Sequence, residues 1–200
     1  GALSESPIVD TARELVIASG EPTPEAVLRT IAALIPDNAI VIDESISAGR
    51  SFFPASMGAR PHDYLQLTGG AIGSGIPMAV GAALACPDRK VLSLEGDGSA
   101  MYTQQALWTM AREGLDVTVL IFANRSYQIL RGEFAGVGAG TPGQRANDML
   151  TLDRPTIDWV GMGRAMGVPS TRADTLDALT AQMQAAFKAQ GPKLIEVVLP

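Results

Sequence analysis

Asp97 lies among small residues in Glu95-Gly96-Asp97-Gly98-Ser99, and Asn124 follows 27 positions later in Ala123-Asn124-Arg125-Ser126-Tyr127. Each stretch comes directly after a short apolar run, Val91–Leu94 and Val117–Phe122. A carboxylate and a carboxamide are oxygen donors, and neither belongs to a His or Cys cluster. Such a set suits a hard cation such as Mg²⁺, which takes one or two protein oxygens, a backbone carbonyl, water and phosphate oxygens. Gly96 and Gly98 let the backbone turn tightly and let a ligand approach the main chain. Free N–H groups at the start of the following helix, with Ser99, can receive phosphate oxygens. Together these residues describe a metal-bridged diphosphate site. They also fit a plain strand-to-helix turn, with Asp97 as a cap and Asn124 as a second turn residue.

The elements that position these turns follow from the apolar pattern. Ala39–Asp43, Val91–Leu94, Val117–Phe122 and Leu194–Leu199 are short apolar runs bounded by turn residues, the pattern of buried strands. Helical stretches separate them at Gly75–Ala85, Thr103–Arg112, Thr156–Met166 and Thr175–Ala189, and Thr23-Pro24 caps an earlier helix running to about Ile35. Apolar strands alternating with helices predict an α/β fold, a doubly wound parallel sheet sandwiched between helices. In such a sheet ligands bind beyond the carboxyl ends of the strands, where both turns fall. Gly132–Asn147, with five glycines and Pro142, is expected to be a long loop acting as a lid or mobile segment. Residues 1–22 are expected to be a linker with a helix over Ile8–Ser19, and residues 23–200 the domain proper.

Composition narrows the function. The balance of 15 basic and 21 acidic residues gives −6, scattered along the chain, which argues against binding a nucleic-acid backbone or an anionic membrane. The lone cysteine, Cys86, excludes a disulfide framework and a CxxC site and suits a reducing cytoplasm. The charged fraction, 18%, is below the roughly 25% of average soluble chains, so partner subunits or domains are expected. The uncharged run Tyr64–Pro87 is broken by five glycines and Pro77, and reads as strand, turn and buried helix, not a membrane span. Gly1–Asp10 has no signal-peptide succession. Gly73-Ser74-Gly75 is followed by Met78 where a dinucleotide fingerprint needs Gly or Ala, and no P-loop lysine or GxSxG elbow is present. His62, the single histidine, sits in a Pro-His-Asp turn and is expected in solvent; Arg125 and Arg131 are expected at the surface.

Gly96-Asp97-Gly98 with Asn124 resembles the thiamin-diphosphate signature of the decarboxylase and acetohydroxyacid synthase superfamily. The stretch GDGSAMYTQQALWTMAREG…VTVLIFANRSY is most similar to the benzoylformate decarboxylase and acetolactate synthase branch. That family usually carries two asparagines; here the first is Ala123, which removes one local hydrogen-bonding side chain. The resemblance implies that Asp97, Asn124 and the carbonyl of Ser126 hold Mg²⁺. Gly96, Gly98, Ser99, Tyr127, Gln128 and Ile129 would line the diphosphate, with Ser47 touching it from the turn Asp43–Ser47. Gly70 matches the position whose carbonyl meets the aminopyrimidine, and Ile72 the bulky residue that props the cofactor in its bent conformation.

The resemblance further implies the C-terminal, diphosphate-binding domain of an enzyme acting on small 2-oxo acids, a decarboxylase or a carboligase. No catalytic residue is expected in this chain, because the activating glutamate of the family stands on an N-terminal pyrimidine-binding domain absent here. The partner would be that domain of the same or a neighbouring subunit, in a homo-oligomer. The isolated chain is then a catalytically silent half-site. A split-subunit or non-catalytic cofactor-binding module is the alternative.

Overall fold

A computed structural model describes residues 15–200. Six strands form one sheet: β1 (Ala39–Glu44), β2 (His62–Gln66), β3 (Val91–Gly96), β4 (Val117–Ala123), β5 (Ser170–Ala173) and β6 (Lys193–Val198). Their order is β2-β1-β3-β4-β6-β5 and every pairing is parallel. The helices are α1 (Pro24–Leu34), α2 (Phe52–Ala55), α3 (Gly75–Ala85), α4 (Asp97–Ala100), α5 (Ala106–Glu113), α6 (Gln128–Gly136), α7 (Gln144–Met149), α8 (Trp159–Ala165) and α9 (Leu176–Lys188).

The central strands β1, β3 and β4 are buried almost throughout because both faces of the sheet are covered. Alternate residues feed two separate cores. Val41, Leu92, Leu94, Leu120 and Phe122 pack with Val27, Ile31 and Leu179 from α1 and α9. Ile40, Ile42, Val91, Val119 and Ile121 pack with Ile76, Leu107 and Trp159 from α3, α5 and α8. The α/β sandwich is therefore the expected one. After β2 the chain returns past β1 to form β3, so strand order reverses between β1 and β3 and opens a crevice at their carboxyl ends.

Local chemistry places the helix ends. The Thr23 hydroxyl accepts the Ala26 N–H at 3.3 Å with Pro24 in the first turn, and the Thr175 hydroxyl accepts that of Ala178 at 3.2 Å. Asp158 likewise caps α8 through the Gly161 N–H at 2.9 Å, so this helix starts later than Thr156. The expected Thr103–Arg112 helix begins only at Ala106, after a turn.

Three expectations need correction. The expected loop Gly132–Asn147 is largely helical: α6 and α7 cover it except for residues 137–143. Tertiary bonds override its glycine content. The Arg131 guanidinium donates to Ser126 Oγ, Asn147 Oδ1 and Thr151 Oγ1, each at 2.8 Å, and bolts α6 to the turn before it, to α7 and to the segment after α7. Residues 15–22 carry no helix, while the rest of the expected linker lies outside the described residues. The Ala18 N–H donates to Thr30 Oγ1 at 3.3 Å and the Gly20 carbonyl accepts the Leu176 N–H at 2.9 Å, which straps this segment across α1 and α9. His62 begins strand β2 instead of a turn, though its ring stays near solvent and meets the Arg60 carbonyl at 2.7 Å. No helix among the described residues is long and apolar enough to cross a membrane.

Candidate functional site

A cavity of about 440 Å³ opens at the carboxyl ends of β1, β3 and β4. Ser47, Ile72, Gly96, Asp97, Gly98, Ser99, Asn124, Ser126, Tyr127, Gln128 and Ile129 all line it, although they come from four separated segments. Gly70 does not reach its wall. It stands two residues before Ile72 at φ 72°, with its carbonyl accepting the Ile72 N–H at 3.0 Å.

The two signature turns are joined to each other. Asp97 is 4% exposed; one carboxylate oxygen accepts the Arg125 N–H at 2.6 Å and the other its neighbour Gly98 at 2.8 Å. Asn124 Oδ1 accepts the Ser126 N–H at 3.0 Å, closing an Asx turn in which Arg125 takes the left-handed conformation at φ 54°. Burial pushes the Asp97 carboxyl from 3.8 up to about 6, against the pull of the Arg125 and Gly98 N–H groups. The charge of Arg125 is the weakest of the pulls opposing this shift and does not overcome burial, and a bound cation would favour the ionised form further. The donors around it are a carboxylate and an amide oxygen, which fit a hard cation. No cluster of three or more His, Cys, Asp or Glu residues able to hold a metal occurs among the described residues, so further ligands would have to be carbonyl, water or phosphate oxygens.

Gly98 is required by packing. A Cβ there would stand 2.7 Å from Cε1 of Tyr127, so only glycine lets the ring lie across α4 on the cavity wall. Ser99 turns its hydroxyl to the carbonyls of Gly96 at 3.1 Å and Glu44 at 3.2 Å. The second strand turn is held by Asp43, which accepts the Ser45 N–H at 2.9 Å, the Ser45 hydroxyl, and the Tyr64 hydroxyl at 2.6 Å. Burial, then the bond and charge of Asp43, push the Tyr64 phenol well above its ordinary range. Burial also drives Glu95 towards its neutral form; the Ser93 bond opposes this, while the charges of Glu44 and Asp43 reinforce it.

Sequence reasoning missed part of the wall. Ser45, Ile46, Ala48, Tyr102, Phe122, Leu130, Met149 and Leu150 also line the cavity. Ile46 had one signal only visible in three dimensions, a left-handed φ of 49° at a β-branched residue. Met149 and Leu150 arrive through the fold-back of α6 and α7, where the Tyr127 N–H donates to Leu150 at 3.0 Å and the Leu152 N–H to Arg125 at 2.8 Å. Arg125 is exposed, as expected, whereas Arg131 spends its donors inside the protein. Ala123, which replaces an asparagine of the resembled signature, ends β4 fully inside the sheet.

Residues 50–197 match the family described as thiamine pyrophosphate enzyme, C-terminal TPP binding domain. The acetolactate synthase large subunit-like protein IlvX of Mycobacterium tuberculosis is 51% identical over 185 residues, 92% of this chain and 36% of its own length. Benzoylformate decarboxylase of Pseudomonas aeruginosa is 37% identical over 174 residues, 87% of this chain and 32% of its own. Among solved structures, the thiamine diphosphate-dependent 4-hydroxybenzoylformate decarboxylase of Rhodococcus jostii superposes with a TM-score of 0.78 at 33% identity, covering 94% of this chain and 34% of that one. This chain thus spans about a third of the length of the relatives it matches.

Proposed function

Because this chain belongs to the family of C-terminal binding domains of thiamine pyrophosphate enzymes, we propose that its cavity takes the diphosphate end of thiamin diphosphate through Mg²⁺. The observation that carries this reading is the direct bond between the two signature turns, Asp97 to the Arg125 N–H, which sets a buried carboxylate beside the Asn124 amide on one wall. Asp97, Asn124 and the Ser126 carbonyl hold the cation. Ser47, Ser99, Tyr127, Gln128 and Ile129 surround the diphosphate, and Gly96 and Gly98 leave it room. Ile72 supports the cofactor from the opposite side, and the Gly70 carbonyl keeps a lone pair for the aminopyrimidine beside its bond to Ile72.

Thiamin diphosphate, when bound, supplies the electron sink for breaking a carbon–carbon bond next to a carbonyl. This chain contributes binding, orientation and exclusion of water; Asp97 and Asn124 act as anchors and move no substrate proton. The substrate is a small 2-oxo acid, cleaved by decarboxylation or joined to a second carbonyl compound. The acid–base group stands on a pyrimidine-binding domain of the same or a neighbouring subunit in a cytoplasmic homo-oligomer, and residues 23–200 are the complementary half. Asp97→Ala tests the anchor. We expect it to abolish Mg²⁺-dependent cofactor binding while leaving cooperative unfolding intact; unchanged affinity would sink the assignment.

A further inference from the structure

Glu44 ends β1 and is 1% exposed. Its carboxylate is spent on backbone. One oxygen accepts the Gly73 N–H; the other accepts the Gly75 N–H and, at 3.3 Å, the Ser74 hydroxyl. Gly75 opens helix α3, and Ser74 at the cap makes no side-chain cap bond of its own. A strand residue thus supplies the cap that the local sequence lacks, and its negative charge suits a helix start.

The same turn is fixed from its other sides. The Gly73 carbonyl accepts the Thr103 hydroxyl at 2.8 Å. Gly73 sits at φ 88°, and a Cβ there would stand 2.8 Å from Cβ of Tyr102. Ile72 is therefore tethered through the anchored Gly73 ahead of it, and its own N–H is bonded to the Gly70 carbonyl behind it. Its side chain, 38% exposed, lines the cavity. The main chain of Glu44 meets the site as well, because its carbonyl accepts Ser99 Oγ at 3.2 Å and its successor Ser45 lies on the wall. One residue ties together three turns that border the cavity.

We propose that Glu44 is a positioning residue for the bound cofactor: by gripping the N–H groups of Gly73 and Gly75 it sets the place of Ile72, the support on which thiamin diphosphate bends. This rests on the reading of the cavity given above. The geometry makes glutamine a sharp probe. A carboxylate accepts on both oxygens, whereas the amide of Glu44→Gln must turn its NH₂ towards one of the two N–H donors. One end of the turn then loses its partner, and Ile72 is released.

The test is titration of thiamin diphosphate with Mg²⁺ into the full chain, with a matching pyrimidine-binding domain supplied. Affinity is read together with the near-ultraviolet circular dichroism induced in the bound cofactor. Glu44→Gln is expected to bind roughly tenfold more weakly, because only about a tenth of the free chains would then hold Ile72 in place, and to lose most of the induced band while keeping its Mg²⁺ dependence. In the background of Ile72→Ala it should add little, since both changes remove the same support. Glu44→Asp, which keeps both acceptors, should recover part of the band. Wild-type affinity and band in Glu44→Gln, or an effect fully additive with Ile72→Ala, would overturn the proposal. Should Glu44→Gln not fold, Thr103→Val frees the Gly73 carbonyl more gently and is expected to give the same signature at smaller size; an unchanged band there would count equally against it. A wild-type chain that binds no thiamin diphosphate would overturn the reading of the cavity itself, an outcome distinct from a change confined to the variants.

Discussion

Asp97→Asn should change how the stability of the cation-free protein depends on pH. An acid at 3.8 in the unfolded chain and about 6 in the fold is bound to its proton more tightly when folded. Stability therefore falls as pH rises from about 4 to about 6, because the unfolded state ionises first. A rise of roughly two pH units is worth ~3 kcal/mol, and this loss is complete above the folded value. Asparagine carries no titrating proton, so the variant escapes it. It also forfeits one of the acceptors now facing the Arg125 and Gly98 N–H groups, a cost of about 1–3 kcal/mol that does not vary with pH. Glu95 loses stability with the same sign as pH rises, but it is common to both proteins and cancels in the difference. Urea unfolding of wild type and Asp97→Asn with a chelator, at pH 4 and pH 7.5, measures that difference. It should shift by about 2–3 kcal/mol in favour of the variant at the higher pH. A stability difference that stays constant with pH would refute the claim that burial outweighs the groups that favour the ionised form of Asp97.

Two further changes test the walls. Gly98→Ala should force the Tyr127 ring off α4, at about 1–3 kcal/mol of overpacking, and weaken cofactor binding with it; equal affinity and an unshifted melting temperature would mean that the ring has room to spare. Arg131→Met removes three side-chain bonds at once, so amide exchange at Tyr127 and Leu152 should quicken at least about tenfold, while the same amides are protected in the cofactor-free wild type. Rapid exchange there in the wild type would show that α6 and α7 are not locked by this residue.

The parts of the fold legible in the sequence are those whose burial is uniform. AIVID, VLSL, VTVLIF and LIEVVL are apolar because both faces of β1, β3, β4 and β6 are covered, so composition alone reveals them. The edge strands HDYLQ and STRA are half exposed; the uncharged run marks the first as strand only from Tyr64 on, and nothing in His62, Asp63 or STRA separates them from turns. The glycine-rich stretch after Gly132 reads as loop because its helices depend on Arg131, whose three partners lie 5, 16 and 20 residues away. The site divides along the same line. Asp97 and Asn124 are visible because each follows a strand that the pattern identifies. Glu44 and Asp43 look like ordinary turn acids, and only the register of β1 against its neighbours shows that they brace the turns of the cavity.

Calorimetric titration of thiamin diphosphate into the chain, first with Mg²⁺ and then with a chelator, tests the central claim most directly. Saturable binding that needs the metal and disappears in Asp97→Ala is the predicted result. Binding of equal strength in chelator, or none even with a matching pyrimidine-binding domain added, would contradict the account.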